Sequence, residues 1–151
     1  MRARLIPTII ATMLLCACAG NPGPGDGRYV YNVEGLYAGR LMVEGEPFDG
    51  TVELRTGRGG RVRGSFVMRA PLEVEGSVEG NLVDNLLRVT LTYETEPRRA
   101  GTTACTSLIE GILTVSPGGD VFEGPVTITD CGDALSGRMS FRRAGATPGI
   151  P

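Results

Sequence analysis

The 151-residue chain contains no His, no Lys and no Trp. Without His it lacks the commonest general base and the commonest metal ligand. Without Lys it also lacks the amine that can replace His beside a Ser or Cys nucleophile. Only carboxylates are left as bases. Long apolar runs are missing too. Leu5 to Leu15 is the longest, broken by Pro7 and two Thr, and it is about half of the roughly 20 residues that a membrane-spanning helix needs. An excess of positive charge is also absent. The formal charge is −2, and no basic stripe argues for nucleic acid. No helix-period segment of useful length follows the first twenty residues.

Glycine, by contrast, is abundant, at 23 residues, and it is patterned. The motif apolar, any, Gly, any, apolar recurs seven times, centred on Gly35, Gly50, Gly64, Gly76, Gly111, Gly124 and Gly137. Val83-Asp84-Asn85-Leu86-Leu87 forms an eighth, degenerate copy. The period is two, so these are strands, with the apolar residues and Gly on one face. The other face carries charge, including Arg40, Glu53, Arg63, Glu75, Arg88, Glu110, Glu123 and Arg138. One dry and one wet face mark an antiparallel sheet. Glycine on the dry face permits tight bends and close backbone approach. The expected fold is therefore an all-β, eight-stranded, antiparallel up-and-down meander forming a small closed or nearly closed barrel. A β-sandwich is the alternative.

The strands are expected at 33–43, 48–56, 61–69, 72–79, 82–94, 105–115, 120–129 and 134–143. Turn signals suggest their pairing. A Gly80-Asn81 turn would set Val78 opposite Val83. A Glu44–Pro47 loop would set Val43 opposite Phe48. A Ser116–Gly119 loop would set Leu113 opposite Phe122. A turn centred between Cys131 and Gly132 would set Phe122 opposite Phe141 and Gly124 opposite Met139.

The start of the chain reads as an address. Arg2 and Arg4 precede the short apolar run, and Leu15-Cys16-Ala17-Cys18-Ala19 follows it. These are the parts of a secretory signal. The exit resembles the bacterial lipobox with Cys18 as the modified residue, although Cys16 stands where Ala or Ser is usual. The resemblance implies lipidation at Cys18, a membrane attachment through the N-terminal lipid, and a place in the cell envelope. Ala19 after the Cys implies sorting to the outer membrane, on its periplasmic or surface face. The expected organisation is a signal at 1–17, the lipidated Cys and a Gly/Pro tether at 18–31, the barrel domain at 32–143 and a loose tail at 144–151. Arg2 and Arg4 lie before Cys18, so 13 Arg remain against 17 acids, a charge of −4.

Cys105 and Cys131 are the only thiols of the domain. An oxidising compartment makes a structural disulfide the expectation. The hairpin register sets Cys105 opposite Asp130, one step out of phase, so a bulge or the strand end must absorb the difference. Two thiols without His do not make a zinc site. Asp130-Cys131-Gly132-Asp133 offers two carboxylates, but turn chemistry accounts for them as well. No catalytic constellation, metal or cofactor is expected, and the chain is read as a non-enzyme.

Six of the eight aromatics fall on the dry phase, among them Tyr37, Phe48, Phe66, Tyr93 and Phe122. An eight-stranded barrel is either filled by side chains or open to one small ligand. These five are the candidate lining of such a site. The pattern resembles the calycin group of lipocalins and avidin-like barrels, at the level of architecture. Gly35-Leu36-Tyr37 stands where lipocalins carry Gly-x-Trp. It is also similar to small bacterial lipoproteins with Gly-containing strands and a late Cys pair. The first functional expectation is an interaction or structural module that docks another envelope protein, with Arg98 and Arg99 on the longest connection as its candidate loop. The alternative is a carrier or sensor that binds a small apolar ligand inside the barrel.

Overall fold

The structure, a computed structural model, describes residues 21–70, 73–95 and 103–145. Eight strands run in sequence: β1 (Gly35–Val43), β2 (Glu46–Thr56), β3 (Arg61–Ala70), β4 (Val74–Val83), β5 (Leu86–Thr95), β6 (Cys105–Val115), β7 (Val121–Asp130) and β8 (Asp133–Arg143). Each pairs antiparallel with the next. β1 pairs with β8, Leu41 opposite Met139 and Gly39 opposite Phe141, which closes the barrel. The sandwich alternative is therefore set aside.

Alternation does what the sequence pattern demands. Val62, Phe66 and Met68 are buried on β3, while Arg61, Arg63 and Arg69 face water. Three turns differ from expectation. The β4–β5 turn is Asp84-Asn85, not Gly80-Asn81, so Val78 faces Leu91. The β1–β2 turn is Glu44-Gly45, so Leu41 faces Phe48. The β6–β7 pairing slides by two residues as well, setting Val115 opposite Phe122. An even slide keeps the inward residues of the paired strands inward, and only residues that pass from one strand or turn to another change face, so the apolar alternation alone does not choose between these registers. Backbone chemistry chooses: Glu44 and Asp84 adopt left-handed φ of 49° and 52°, which Asp in particular tolerates. A consequence is that Val83, read as dry, is 57% exposed. The β7–β8 hairpin has the expected register, with Phe122 opposite Phe141 and Gly124 opposite Met139.

The barrel has two unlike ends. At one end the turns β2–β3, β4–β5 and β6–β7 gather, and residues 21–34 lie across them. The stretch read as a free tether is folded here: Pro24 lies against Gly60 and Gly25 against the Gly57 carbonyl. Tyr29 donates its hydroxyl to Asp84 O at 3.2 Å, and Gly118 N–H donates to Val30 O at 2.7 Å. The Arg143 guanidinium donates to Asn32 O at 2.8 Å and to Glu34 O. Beneath this cap Tyr37, Phe122 and Phe141 form the floor, with ring centroids 4.8 Å and 5.6 Å apart in succession.

Tyr37 is fully buried and donates its hydroxyl to Gly119 O at 2.6 Å. Burial pushes its phenol up to about 12, with Asp120 adding to the rise and the Arg143 cation opposing it. The folded state thus holds a proton that the unfolded chain releases from about pH 10. Stability is fully present below that pH and falls as pH rises through 12, by about 3 kcal/mol in all. Tyr37→Phe is expected to cost about 1 kcal/mol at neutral pH through the lost hydrogen bond. It should also remove most of the alkaline loss, so that the urea midpoints of the two proteins cross between about pH 10 and pH 12 and the variant is the more stable at pH 12. Parallel titration curves would mean that Tyr37 is not the group responsible.

Candidate functional site

The other end of the barrel is open. Here β1, β3, β5 and β7 finish and β2, β4, β6 and β8 begin. Their inward side chains stop short of one another and leave a cavity of about 390 Å³. Its wall is apolar: Phe48, Phe66, Met68, Val74, Ile109 and Ile128 contribute most of it. Tyr93 stands edge-on to Phe66, with centroids 6.3 Å apart. Gly76 lies under the Phe66 ring, where a Cβ would come within 2.7 Å of it, so the glycine lets that ring lie flat against the wall.

Polar groups gather on one side of the mouth. Ser107 on β6 is completely buried. Its hydroxyl donates to Asp130 Oδ1 at 2.8 Å, Thr95 Oγ1 donates to the same oxygen at 3.0 Å, and the two hydroxyls lie 2.9 Å apart. Two hydroxyl protons serve three contacts, so one contact of the triangle is always without a proton. Thr95 and Asp130 line the cavity, as do Glu73 and Glu94. The Cys105–Cys131 disulfide closes the outer side of this cluster, with Cα atoms 5.6 Å apart. Cys131 sits in the β7–β8 turn at φ 51°, which resolves the phase mismatch with Cys105: the turn residue has left the strand alternation. Sulfur and carboxylate atoms of Cys105, Asp130 and Cys131 lie within 4.8 Å of one another. Both sulfurs are in the disulfide and supply no thiolate, so the cluster is no metal centre.

The five aromatics expected to line an interior site divide between the two ends. Phe48, Phe66 and Tyr93 line the mouth cavity. Tyr37 and Phe122 do not: they belong to the packed floor, where Tyr37 is held by Gly119 and covered by Arg143, 5.0 Å above its ring. The barrel is filled at one end and open at the other. Arg98, Arg99 and Cys18 lie outside the described residues. The site residues that sequence reasoning missed are Thr95, Ser107 and Asp130. They carried a signal, since all three are polar side chains on the dry phase of their strands.

A second, shallow depression of about 530 Å³ lies on the outer wall over β1, β2 and β8. The Arg40–Asp49 pair bridges it at 2.7 Å, both side chains more than half exposed. An exposed pair of this kind contributes little, and the depression is solvated wall. No family model matches the chain, and no curated protein or solved structure matches it either.

Proposed function

We propose that the protein is a lipid-anchored carrier of the bacterial cell envelope that holds a small, mostly apolar molecule in the mouth of the barrel. One observation carries this reading: an apolar cavity of about 390 Å³ opens at one end of a barrel whose other end is packed shut. That volume lies within the roughly 300–1,000 Å³ of small-molecule sites, which pair apolar walls with a few placed polar groups. Thr95, Asp130, Glu73 and Glu94 supply those groups, with Ser107 behind Asp130, so a ligand with an apolar body and a hydrogen-bonding end fits best. Hydroxyls and carboxylates with no His or Lys nearby suit binding better than catalysis. Docking of another envelope protein through Arg98 and Arg99 is the second reading of the sequence. The cavity favours the carrier over it.

The test uses the mature chain with Cys18→Ser, exported to the periplasm. Native mass spectrometry should show a discrete small-molecule adduct. The neutral apolar fluorophore N-phenyl-1-naphthylamine should bind saturably, one per chain. Val74→Trp places an indole in the cavity and should weaken that binding by about tenfold or more, equivalent to about 1.4 kcal/mol, at unchanged thermal midpoint. An empty wild-type protein that does not bind the fluorophore would overturn the carrier reading.

A further inference from the structure

We propose that the closed end of the barrel, on its β2–β6 side, is a seat for an anionic phospholipid bilayer, so that the mouth faces away from the membrane. The inference rests on reading Cys18 as the anchor, and four observations support it.

The first is where the chain leaves. Asn21 follows Cys18 by three residues, and by Pro24 the chain is already packed on the closed end. Six residues reach about 20 Å at full extension. An anchor at Cys18 therefore holds this end at the membrane surface.

The second is the distribution of exposed apolar side chains. Among the described residues the large ones are Val30, Leu36, Val83, Leu86 and Ile112. Every one lies in the closed-end half. Val83 faces Leu86 across the β4–β5 turn, and Leu86 is diagonal to Ile112 on β6. Val83, Leu86 and Ile112 form one row on the outer wall.

The third is charge. Beside that row the β2–β3 hairpin carries Arg55, Arg58, Arg61 and Arg63, with Arg88 on β5. Arg55 stands directly opposite Arg63, an arrangement that is unfavourable by itself and that a phosphate surface would relieve. Glu53 reaches Arg55 at 3.4 Å, and Glu79 is the register partner of Arg63. No described ion pair engages Arg58, Arg61 or Arg88.

The fourth is the opposite end. The mouth turns and rim carry Glu44, Glu46, Glu73, Glu94 and Asp133 with Arg69 among the described residues, a net negative charge that an anionic surface repels, while Asp84 in the β4–β5 turn is outnumbered by the Arg cluster beside it. Arg98 and Arg99 lie outside the described residues.

Seated this way, the cavity loads and unloads on the aqueous side, away from the bilayer that bears the anchor.

The absence of Trp makes an introduced indole a unique reporter. The mature chain from Cys18 is coupled through that thiol, Cys105 and Cys131 being bonded to each other, to a maleimide phospholipid. The vesicles contain phosphatidylethanolamine and phosphatidylglycerol. Leu86→Trp and Glu46→Trp, both at exposed turns, report on the two ends. Brominated phospholipids should quench and blue-shift the indole at position 86 and leave that at position 46 unchanged. Adding Arg58→Glu and Arg61→Glu should cut the quenching at 86 by at least about half, the contribution of basic residues near an anionic surface. Equal quenching at both positions, quenching at 46 alone, or none at either would overturn the proposal. So would quenching at 86 that the two charge reversals leave unchanged. The mass of the protein extracted from bacterial membranes reports separately on whether Cys18 is acylated. A failure of the anchor reading is thus distinguishable from a failure of the seat.

Discussion

Replacing Cys105 and Cys131 together by Ser is expected to lower the unfolding free energy by about 3.5 kcal/mol and the thermal midpoint by about 10 °C or more. The bond joins residues 26 apart, and loop closure of that length accounts for the magnitude in the chain-entropy description. The local structure gives it a second role. The β6–β7 ladder begins at Leu108 opposite Thr129. Residues 105–107 of β6 therefore have no ladder partner in β7, and the disulfide stands in for the missing pairing. It also stands beside the hydrogen bond from Ser107 that holds Asp130 at the polar side of the mouth. The double Ser variant should therefore bind N-phenyl-1-naphthylamine more weakly than the oxidised protein even at temperatures where both are folded. Urea unfolding and fluorophore titration check the two parts. A loss of stability below about 1 kcal/mol would mean that the mouth is held by its hydrogen bonds alone.

The architecture was legible because two periodicities agreed. Alternation named the strands, and the recurrent glycine named the curvature. Eight strands with short turns then left few alternatives to a barrel. Register was less legible. Val78 opposite Val83 and Val78 opposite Leu91 satisfy the same dry-face rule. What separates them is that Asp84 accepts a left-handed backbone and Asn85 follows it, a feature of two residues in a chain with several plausible turns. The packing of the N-terminal stretch was not legible for a different reason. Gly and Pro exclude helix and sheet from residues 21–27, but they do not exclude packing: turns such as Asp26 N–H to Gly23 O, 3.0 Å, bring Tyr29 and Tyr31 onto the barrel end.

The unseen packing hid the site. With no cap in view, the dry-phase aromatics looked equivalent, and Tyr37 and Phe122 stood beside Phe48 and Phe66 as one lining. Once residues 21–34 cover one end, position along each strand decides the role. Inward residues near the capped turns become floor, and those near the uncapped turns become wall. Thr95, Ser107 and Asp130 fall at the uncapped ends of β5, β6 and β7, where three polar groups can satisfy one another beside water. On the same phase at the floor they would have been packed among buried rings and aliphatic side chains, away from water.

Gly64→Ala is expected to destabilise the barrel by about 3 kcal/mol, the cost of forcing a methyl into a wall with no room for it. Gly64 faces inward on β3, between Leu54 on β2 and Val78 on β4. A Cβ there would lie 1.8 Å from the Glu53 carbonyl oxygen and 3.2 Å from the Leu54 Cα. These are backbone atoms, so no rotamer change relieves the clash, and β2 must move away from β3. The unfolded chain pulls the other way, since Ala has less conformational freedom to lose than Gly and gains about 0.4–1 kcal/mol on that account. The crowding outweighs this gain. Gly27→Ala is the matching control: nothing lies within 4 Å of its Cβ position, so only the chain-entropy term acts and stability should stay within about 0.5 kcal/mol of the parent or rise slightly. Chemical denaturation of the two variants side by side separates a steric demand from a general intolerance of alanine. If Gly64→Ala were as stable as Gly27→Ala, the repeated inward glycine would be a matter of composition, and the tight coiling of the wall would need another cause.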